Sequence, residues 1–114
     1  MAKTCNWKGK SNTTYEYHIH ELPVSFNDDQ PGNYIYSRLN DKNLWVPIYI
    51  GEGDLGDRIG DDHHQIACIN GKGATHVHVH LNDSKAARQK EEADLLDRYT
   101  NAYTPNGCNV KKGG

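Results

Sequence analysis

Short runs of alternating apolar and polar residues predict the central strands of this chain. In Tyr34–Tyr36 the period of two places both tyrosines on one face of a strand and Ile35 on the other. In Ile48–Ile50 the two isoleucines share one face and Tyr49 occupies the other. The polar stretch Asn40–Asn43 predicts a turn between the two segments. We therefore expect two paired strands that bury isoleucines in a core and present tyrosines together on an open face.

Alternation also predicts strands on either side of this pair. Residues 5–20 are typical of a β-hairpin, with a turn cluster at Gly9–Asn12. The stretch Thr75–Leu81 alternates apolar residues with three histidines, which are His76, His78 and His80. A half-buried strand with a polar outer face explains this alternation without a metal, and it is the interpretation we prefer. Because an H-x-H pair can bind zinc, a zinc site on these histidines is the alternative.

Two segments carry helix signals. Asp54 is a candidate N-cap for a helix that runs to about Ile69, although two internal glycines weaken it. Four residues of that helix are predicted to form one stripe, namely Leu55, Ile59, His63 and Ile66. The second helix follows Asn82–Ser84 and is predicted from Lys85 to about Tyr99.

Together these elements predict an α+β fold in a single domain that spans residues 1–114. The predicted core, residues 31–110, has a small, mainly antiparallel three-stranded sheet flanked by helices. Residues 1–30 are predicted to add an N-terminal hairpin extension. A chain of 114 residues is large enough for one hydrophobic core and too short for two.

Composition bears on where the protein is located and on the oxidation state of its cysteines. The chain has no apolar run long enough to cross a membrane and no signal-peptide pattern at its start, so we predict a cytoplasmic protein. Cys5, Cys68 and Cys108 are odd in number and lack a Cys-x-x-Cys spacing. We therefore expect reduced cysteines, without a disulfide framework or a cysteine zinc site.

A carboxylate on the second helix is the most informative single side chain. At 100° per residue, Glu92 shares a face with Arg88, Leu95 and Tyr99, whereas Glu91 is predicted to point toward solvent. A carboxylate within a packed stripe is costly unless a cation or an arginine pairs with it. The structural alternative is an i, i+4 ion pair between Arg88 and Glu92.

Five short motifs follow one another in these elements. They are Pro31-Gly32-Asn33-Tyr34, Ile48-Tyr49-Ile50-Gly51-Glu52-Gly53, Arg58, Glu92 within Glu92–Leu96, and Pro105-Asn106-Gly107-Cys108-Asn109. In their order and approximate spacing they resemble the GIY-YIG nuclease superfamily over roughly residues 30 to 110. Asn33 between the glycine and the tyrosine departs from the usual pattern, as does a longer separation between the two tyrosine motifs.

The resemblance implies an endonuclease that hydrolyses DNA phosphodiester bonds with one divalent ion, Mg²⁺ or Mn²⁺. It implies that Tyr34 helps to activate water, Tyr49 supports it through a hydrogen bond, Arg58 binds the phosphate and Glu92 is the metal ligand. A free tyrosine titrates near pH 10, so a nearby cation would be needed to lower its pKa.

Two further residues have less specific signals. The superfamily often has a histidine one turn after the arginine, where this chain has Asp62; His63 follows one residue later. His63 is therefore expected either to line the site or to be a hydrogen-bonded core histidine. By resemblance, Asn109 braces the site from the C-terminal tail; otherwise it is a tail residue without a role.

The net charge of the chain affects how tightly it is expected to bind DNA. The formal net charge is −2, and phosphate affinity comes mostly from Lys and Arg. The predicted contacts to nucleic acid are Arg58, Arg88 and Lys90, and a partner protein that supplies targeting is a second expectation. The oligomeric state is not specified by the sequence.

Two alternatives to the nuclease are a non-catalytic nucleic-acid-binding or protein-interaction domain on the same scaffold and a zinc hydrolase built on the three histidines.

Overall fold

The structure, a computed structural model, describes residues 3–110. Within this range the chain forms five strands, three α-helices and a short 3₁₀ helix. These are β1 (Lys3–Lys8), β2 (Thr14–Glu21), β3 (Pro31–Leu39), β4 (Trp45–Asp54), α1 (Leu55–Arg58), α2 (Ile66–Gly71), β5 (His76–Leu81), α3 (Lys85–Arg98) and the 3₁₀ helix Thr100–Ala102. The predicted α+β class is confirmed.

All strands belong to one antiparallel sheet in the order β1-β2-β5-β3-β4. The N-terminal hairpin is confirmed, but β2 pairs with β5, so the hairpin extends the sheet rather than standing outside it. Tyr34 lies on β3, next to the edge strand, opposite Gly51 of β4 and Val79 of β5. The prediction of three strands with a separate hairpin is therefore only roughly correct.

Both faces of β3 are buried, so the predicted open face of tyrosines is wrong. Tyr34 and Tyr36 are each 1% exposed, and Ile35, on the opposite face, is 0% exposed. The side that holds Tyr34, Tyr36 and Tyr49, named here the tyrosine face, packs against residues of α1 and α2. The other side, named the α3 face, packs against α3 and the 3₁₀ helix. A period of two separates the two faces of a strand but does not tell which face is open.

The pairing of β3 with β4 is irregular, and this changes the position of one isoleucine. The register shifts between Tyr36 and Ser37. Ile48 therefore packs in the cluster of the tyrosine face, whereas Ile50 packs on the α3 face. The prediction that both isoleucines share one face is wrong, because an extra residue in one strand reverses the alternation.

The helix predicted from Asp54 to Ile69 is interrupted. Asp54 is its N-cap, as predicted, and accepts a hydrogen bond from the backbone N–H of Gly56. Helix α1 ends at Arg58, and Gly60 has a φ of +146°, a conformation that is readily available only to glycine. The four stripe residues still pack toward the tyrosine face, but a loop and α2 bring the last two there.

The histidine-rich strand β5 is central, and its predicted polar outer face is wrong. His78 is 0% exposed and lies beneath α3. Its Nδ1 accepts a hydrogen bond from the indole N–H of Trp7 at 2.9 Å, and its Nε2 lies 3.1 Å from Ser37 Oγ. Burial, together with His76 and His20, lowers the pKa of His78 to about 3. Since both ring nitrogens are engaged, this histidine has no lone pair to give to zinc.

A disulfide joins Cys68 of α2 to Cys108 in the tail, with 5.9 Å between their Cα atoms. The prediction that all three cysteines are reduced is therefore wrong. The two residues are 40 positions apart, and only the fold brings them into contact. None of the helices within residues 3–110 has the length and apolar character required to span a bilayer.

Candidate active site

A cavity of about 390 Å³ lies beside β4, the edge strand of the sheet. It is lined by side chains from β4, from the loop before α2, from α3 and from the tail, including Tyr49, His64, Glu92 and Asn109. Tyr49, Glu92 and Asn109, which belong to three motifs far apart in the sequence, therefore meet in one cavity. The fourth, His64, was not singled out by the sequence.

Tyr34 lies directly behind this cavity. Its ring stacks on that of Tyr49, with 6.0 Å between the ring centroids and an interplanar angle of 22°. A Cβ atom on Gly51 would lie 2.5 Å from the Tyr34 hydroxyl. The glycine of the second motif is therefore required by the close approach of the tyrosine from the first motif. This contact links the two motifs physically.

Arg58 reaches the same region from the end of α1. Its side chain crosses Gly53, where a Cβ atom would lie 2.6 Å from Arg58 Nε. The residue is exposed, and its charge acts on the pKa values of Tyr34, Tyr49 and His63. An exposed guanidinium beside two phenols is a suitable group for gripping phosphate oxygens.

His63 connects the loop before α2 to Tyr34. The histidine is 5% exposed, and its Nε2 lies 2.8 Å from the hydroxyl oxygen of Tyr34. Its Nδ1 accepts the backbone N–H of Gln65 at 3.0 Å. Burial, with smaller effects from His64 and Arg58, lowers the pKa of His63 to about 4. His63 is therefore a hydrogen-bonded buried histidine that contacts Tyr34 and Tyr49 from behind and is not among the residues that line the cavity.

Neither tyrosine is an acidic phenol in this structure. Burial raises the pKa of Tyr34 well above its usual value; Tyr49 adds to the rise, and Arg58 opposes it. The pKa of Tyr49 is also raised, first by burial and then by the Glu92 carboxylate, while Arg58 and the neighbouring Tyr34 side chain lower it. Both side chains therefore carry their hydroxyl protons at neutral pH.

The buried carboxylate of α3 is Glu91, and the prediction that it points toward solvent is wrong. Glu91 is 3% exposed; it accepts a hydrogen bond from Tyr17, and its other contact is Nδ1 of His80 at 3.0 Å. Glu92 is partly buried and lines the cavity beside Tyr49. The helix is rotated relative to the predicted stripe because Arg88, Glu91 and Leu95 are the residues that face the sheet. Glu92 consequently points toward the edge of the sheet, where the cavity is.

The basic residues predicted to contact nucleic acid lie in different surroundings. Arg88 is 8% exposed; its Nε donates to Glu52 of β4 at 2.9 Å, and its Nη1 donates to the carbonyl oxygen of Asn82. Its guanidinium is held inside the protein by these contacts, so its role in binding nucleic acid stays a prediction that the burial does not favour. Arg58 and Lys90 remain on the surface.

Asn109 braces β4 through both atoms of its amide. Its Oδ1 accepts the backbone N–H of Ile50, and its Nδ2 donates to the Ile50 carbonyl, each at 2.9 Å. The neighbouring Cys108 backbone N–H donates to the carbonyl of Ile48. The tail thus satisfies edge groups of β4 immediately beside Tyr49. The side chain of Asn109 substitutes there for a neighbouring strand.

One acidic cluster lies outside this cavity. Within residues 3–110, Asp28, Asp54 and Asp57 are the group of three ligating side chains close enough to share a cation. Asp54 caps α1 and accepts the backbone N–H groups of Asp29 and Gln30, which lower its pKa. These hydrogen bonds account for the position of Asp54, and the three β5 histidines do not form such a group.

The chain matches no protein-family model, no curated protein and no solved structure. The resemblance to the GIY-YIG superfamily therefore stays a prediction from the motifs.

Proposed function

We propose that this protein is a metal-dependent endonuclease that hydrolyses phosphodiester bonds in DNA. The observation that supports this proposal best is the meeting of five separate motif residues at one edge of the sheet. Tyr49, Glu92 and Asn109 line or brace the cavity, Tyr34 stacks behind it, and Arg58 acts electrostatically on both phenols. Packing alone does not require hydroxyl, guanidinium and carboxylate groups to converge.

The chemistry of these side chains suits phosphodiester hydrolysis. Glu92 would hold a divalent ion, Mg²⁺ or Mn²⁺, because carboxylate oxygens are the ligands that such hard cations prefer. When bound, the ion would neutralise charge on the phosphate and make a water molecule more acidic. Arg58 would bind phosphate oxygens, and the tyrosine hydroxyls would form hydrogen bonds to the reacting groups.

The surroundings of the cavity argue for assisted DNA binding. The segment around the two tyrosine motifs is acidic, and the interior position of Arg88 removes one of the expected phosphate contacts. Binding driven by Lys and Arg would therefore be weak for the chain alone. A partner protein or a specific DNA structure would supply the missing affinity.

A cleavage assay tests the proposal. Supercoiled plasmid and short duplexes would be incubated with the wild type in Mg²⁺ or Mn²⁺, with Glu92→Ala as the test variant and Glu16→Ala as the matched control on an exposed position of β2. We expect cleavage by the wild type and the control and a loss of roughly 10³-fold in the test variant. Equal cleavage by Glu92→Ala and wild type would refute the assignment.

The acidic surface favours a second candidate, a non-catalytic interaction domain on the same scaffold. This candidate predicts no cleavage by the wild type with either metal. It also predicts that binding of DNA or of a partner protein is unchanged in Glu92→Ala. The same variant therefore separates the two candidates.

A further inference from the structure

The hydrogen bonds behind the cavity run in one direction. The chain starts at the backbone N–H of Gln65, which donates to Nδ1 of His63 at 3.0 Å. A backbone N–H can only donate, so Nδ1 carries no proton. Because the low pKa of His63 keeps its ring neutral, the single ring proton is on Nε2. Nε2–H therefore donates to the hydroxyl oxygen of Tyr34, 2.8 Å away.

This arrangement fixes Tyr34 in the interior, because its hydroxyl oxygen already accepts from His63. Tyr49 lies in front of both groups. Its ring stacks on that of Tyr34 with 6.0 Å between the ring centroids, and it makes an edge contact with the ring of His63 at 4.7 Å. Tyr34 and His63 therefore hold the ring of Tyr49 from behind.

Of the two tyrosines, Tyr49 is the one that reaches the cavity. Tyr34 is 1% exposed, whereas Tyr49 is half-buried and lines the cavity with Glu92 and His64. The Tyr49 oxygen is 3.5 Å from Nε2 of His64, at the limit of a hydrogen bond. Its proton is therefore available for a stronger acceptor that enters the cavity.

We propose that Tyr49 is the catalytic hydroxyl that donates a hydrogen bond to a phosphoryl oxygen of the scissile phosphodiester, with Tyr34 and His63 as positioning residues behind it. This inference rests on the proposed function and reverses the order of the two tyrosines that the family resemblance implies. Tyr34 transfers no proton, because Nε2 of His63 already holds one. The phenol protons stay where they are, and the rings of Tyr34 and His63 hold Tyr49 in place as a preorganised donor.

Kinetics of conservative variants test the order of the tyrosines. Tyr49→Phe, Tyr34→Phe and the distant control Tyr15→Phe would be compared in kcat and KM on one cleavable duplex. We expect kcat to fall by about 10²–10³-fold in Tyr49→Phe, as for loss of a transition-state donor. We expect a smaller fall, about 10-fold, in Tyr34→Phe and no change in the control. A larger loss of kcat in Tyr34→Phe than in Tyr49→Phe would overturn the proposal.

His63 provides a test that a merely structural role would not pass. Glutamine can still donate a side-chain N–H to Tyr34, whereas leucine cannot, so His63→Gln should retain kcat that His63→Leu loses. If the two variants have equal kcat at equal stability, His63 does not act through a donated hydrogen bond.

The proton on His63 can be measured without any activity. In ¹⁵N NMR spectra of labelled histidine side chains, we expect the neutral Nε2–H form for His63 at pH 7. The Nδ1–H form would overturn the chain of donors even in an active enzyme. Absence of cleavage by the wild type would instead refute the proposed function and, with it, the substrate contact of Tyr49. The two failures are therefore distinguishable.

Discussion

The two faces of the sheet each bury a histidine, and the two histidines differ in where their hydrogen bonds lead. His63, on the tyrosine face, contacts Tyr34 and Tyr49, and Tyr49 lines a surface cavity. His78, on the α3 face, connects to Trp7 and Ser37 and stays inside the core. Burial lowers the pKa of both, to about 4 and about 3.

This comparison teaches that a perturbed pKa does not by itself identify a site. Structural networks perturb titratable groups as strongly as catalytic sites do. The useful distinction is whether the network ends at a group that a ligand can reach. By that criterion the tyrosine face is the candidate site, and the α3 face is a polar core that stabilises the fold.

The largest effect on stability should come from removing the disulfide, which lies on the tyrosine face. Replacing both Cys68 and Cys108 by serine releases a loop with a sequence separation of 40. The free energy of unfolding should fall by about 4 kcal/mol, because the unfolded chain gains entropy. Urea unfolding under non-reducing conditions measures this, with Cys5→Ser as the control on the α3 face. Equal stability of the double variant and wild type would show that the link is absent in solution.

The next effect separates the two neighbouring carboxylates of α3. Glu91→Ala should lower the free energy of unfolding by about 3 kcal/mol, because the buried Tyr17 and the half-buried His80 both lose their acceptor. Glu92→Ala should leave stability nearly unchanged and reduce cleavage instead. Thermal unfolding and plasmid cleavage would be measured on both variants. If Glu91→Ala reduced cleavage and Glu92→Ala reduced stability instead, the two carboxylates would have the opposite roles.

A smaller effect is expected at the glycine that holds the two tyrosines together. Gly51→Ala places a Cβ atom 2.5 Å from the Tyr34 hydroxyl, so the ring must move. We expect a loss of about 2 kcal/mol in unfolding free energy from this overpacking, together with reduced cleavage. Gly71→Ala is the matched control, since a Cβ atom on Gly71 in α2 would meet nothing within 4 Å. Stability and activity equal to that control would contradict the close contact.

A change of pH also probes both faces, because the two buried histidines make stability depend on pH. Their folded pKa values lie below the ordinary value of 6.5, so the unfolded chain binds more protons in this range. Stability is therefore greatest above pH 6.5 and falls as the pH decreases toward 4. The limiting slope is about 1.4 kcal/mol per pH unit for each histidine.

The two histidines can be separated in the same titration. His78→Gln should flatten the slope of unfolding free energy against pH without changing cleavage at pH 7 per folded molecule. His63→Gln should flatten it as well, and its cleavage reports on the site. A slope that neither substitution changes would mean that other groups control acid unfolding.

Much of the fold follows from local sequence signals. The caps at Asp54 and Ser84, the turn of the N-terminal hairpin and the helix from Lys85 depend on neighbouring residues, and the structure has each of them. The motif residues Tyr49, Glu92 and Asn109 could also be selected from the sequence, because their order along the chain carries the family pattern. These signals are local or linear, so no knowledge of packing was needed.

The tertiary structure decided everything that depends on which surfaces meet. Covering both faces of the sheet buried Tyr34 and His78, and the rotation of α3 placed Glu91 inside and Glu92 at the cavity. Pairing of Cys68 with Cys108 likewise required contact between distant segments. A period in the sequence specifies which residues share a face, whereas the burial of that face depends on the long-range packing of other elements against it.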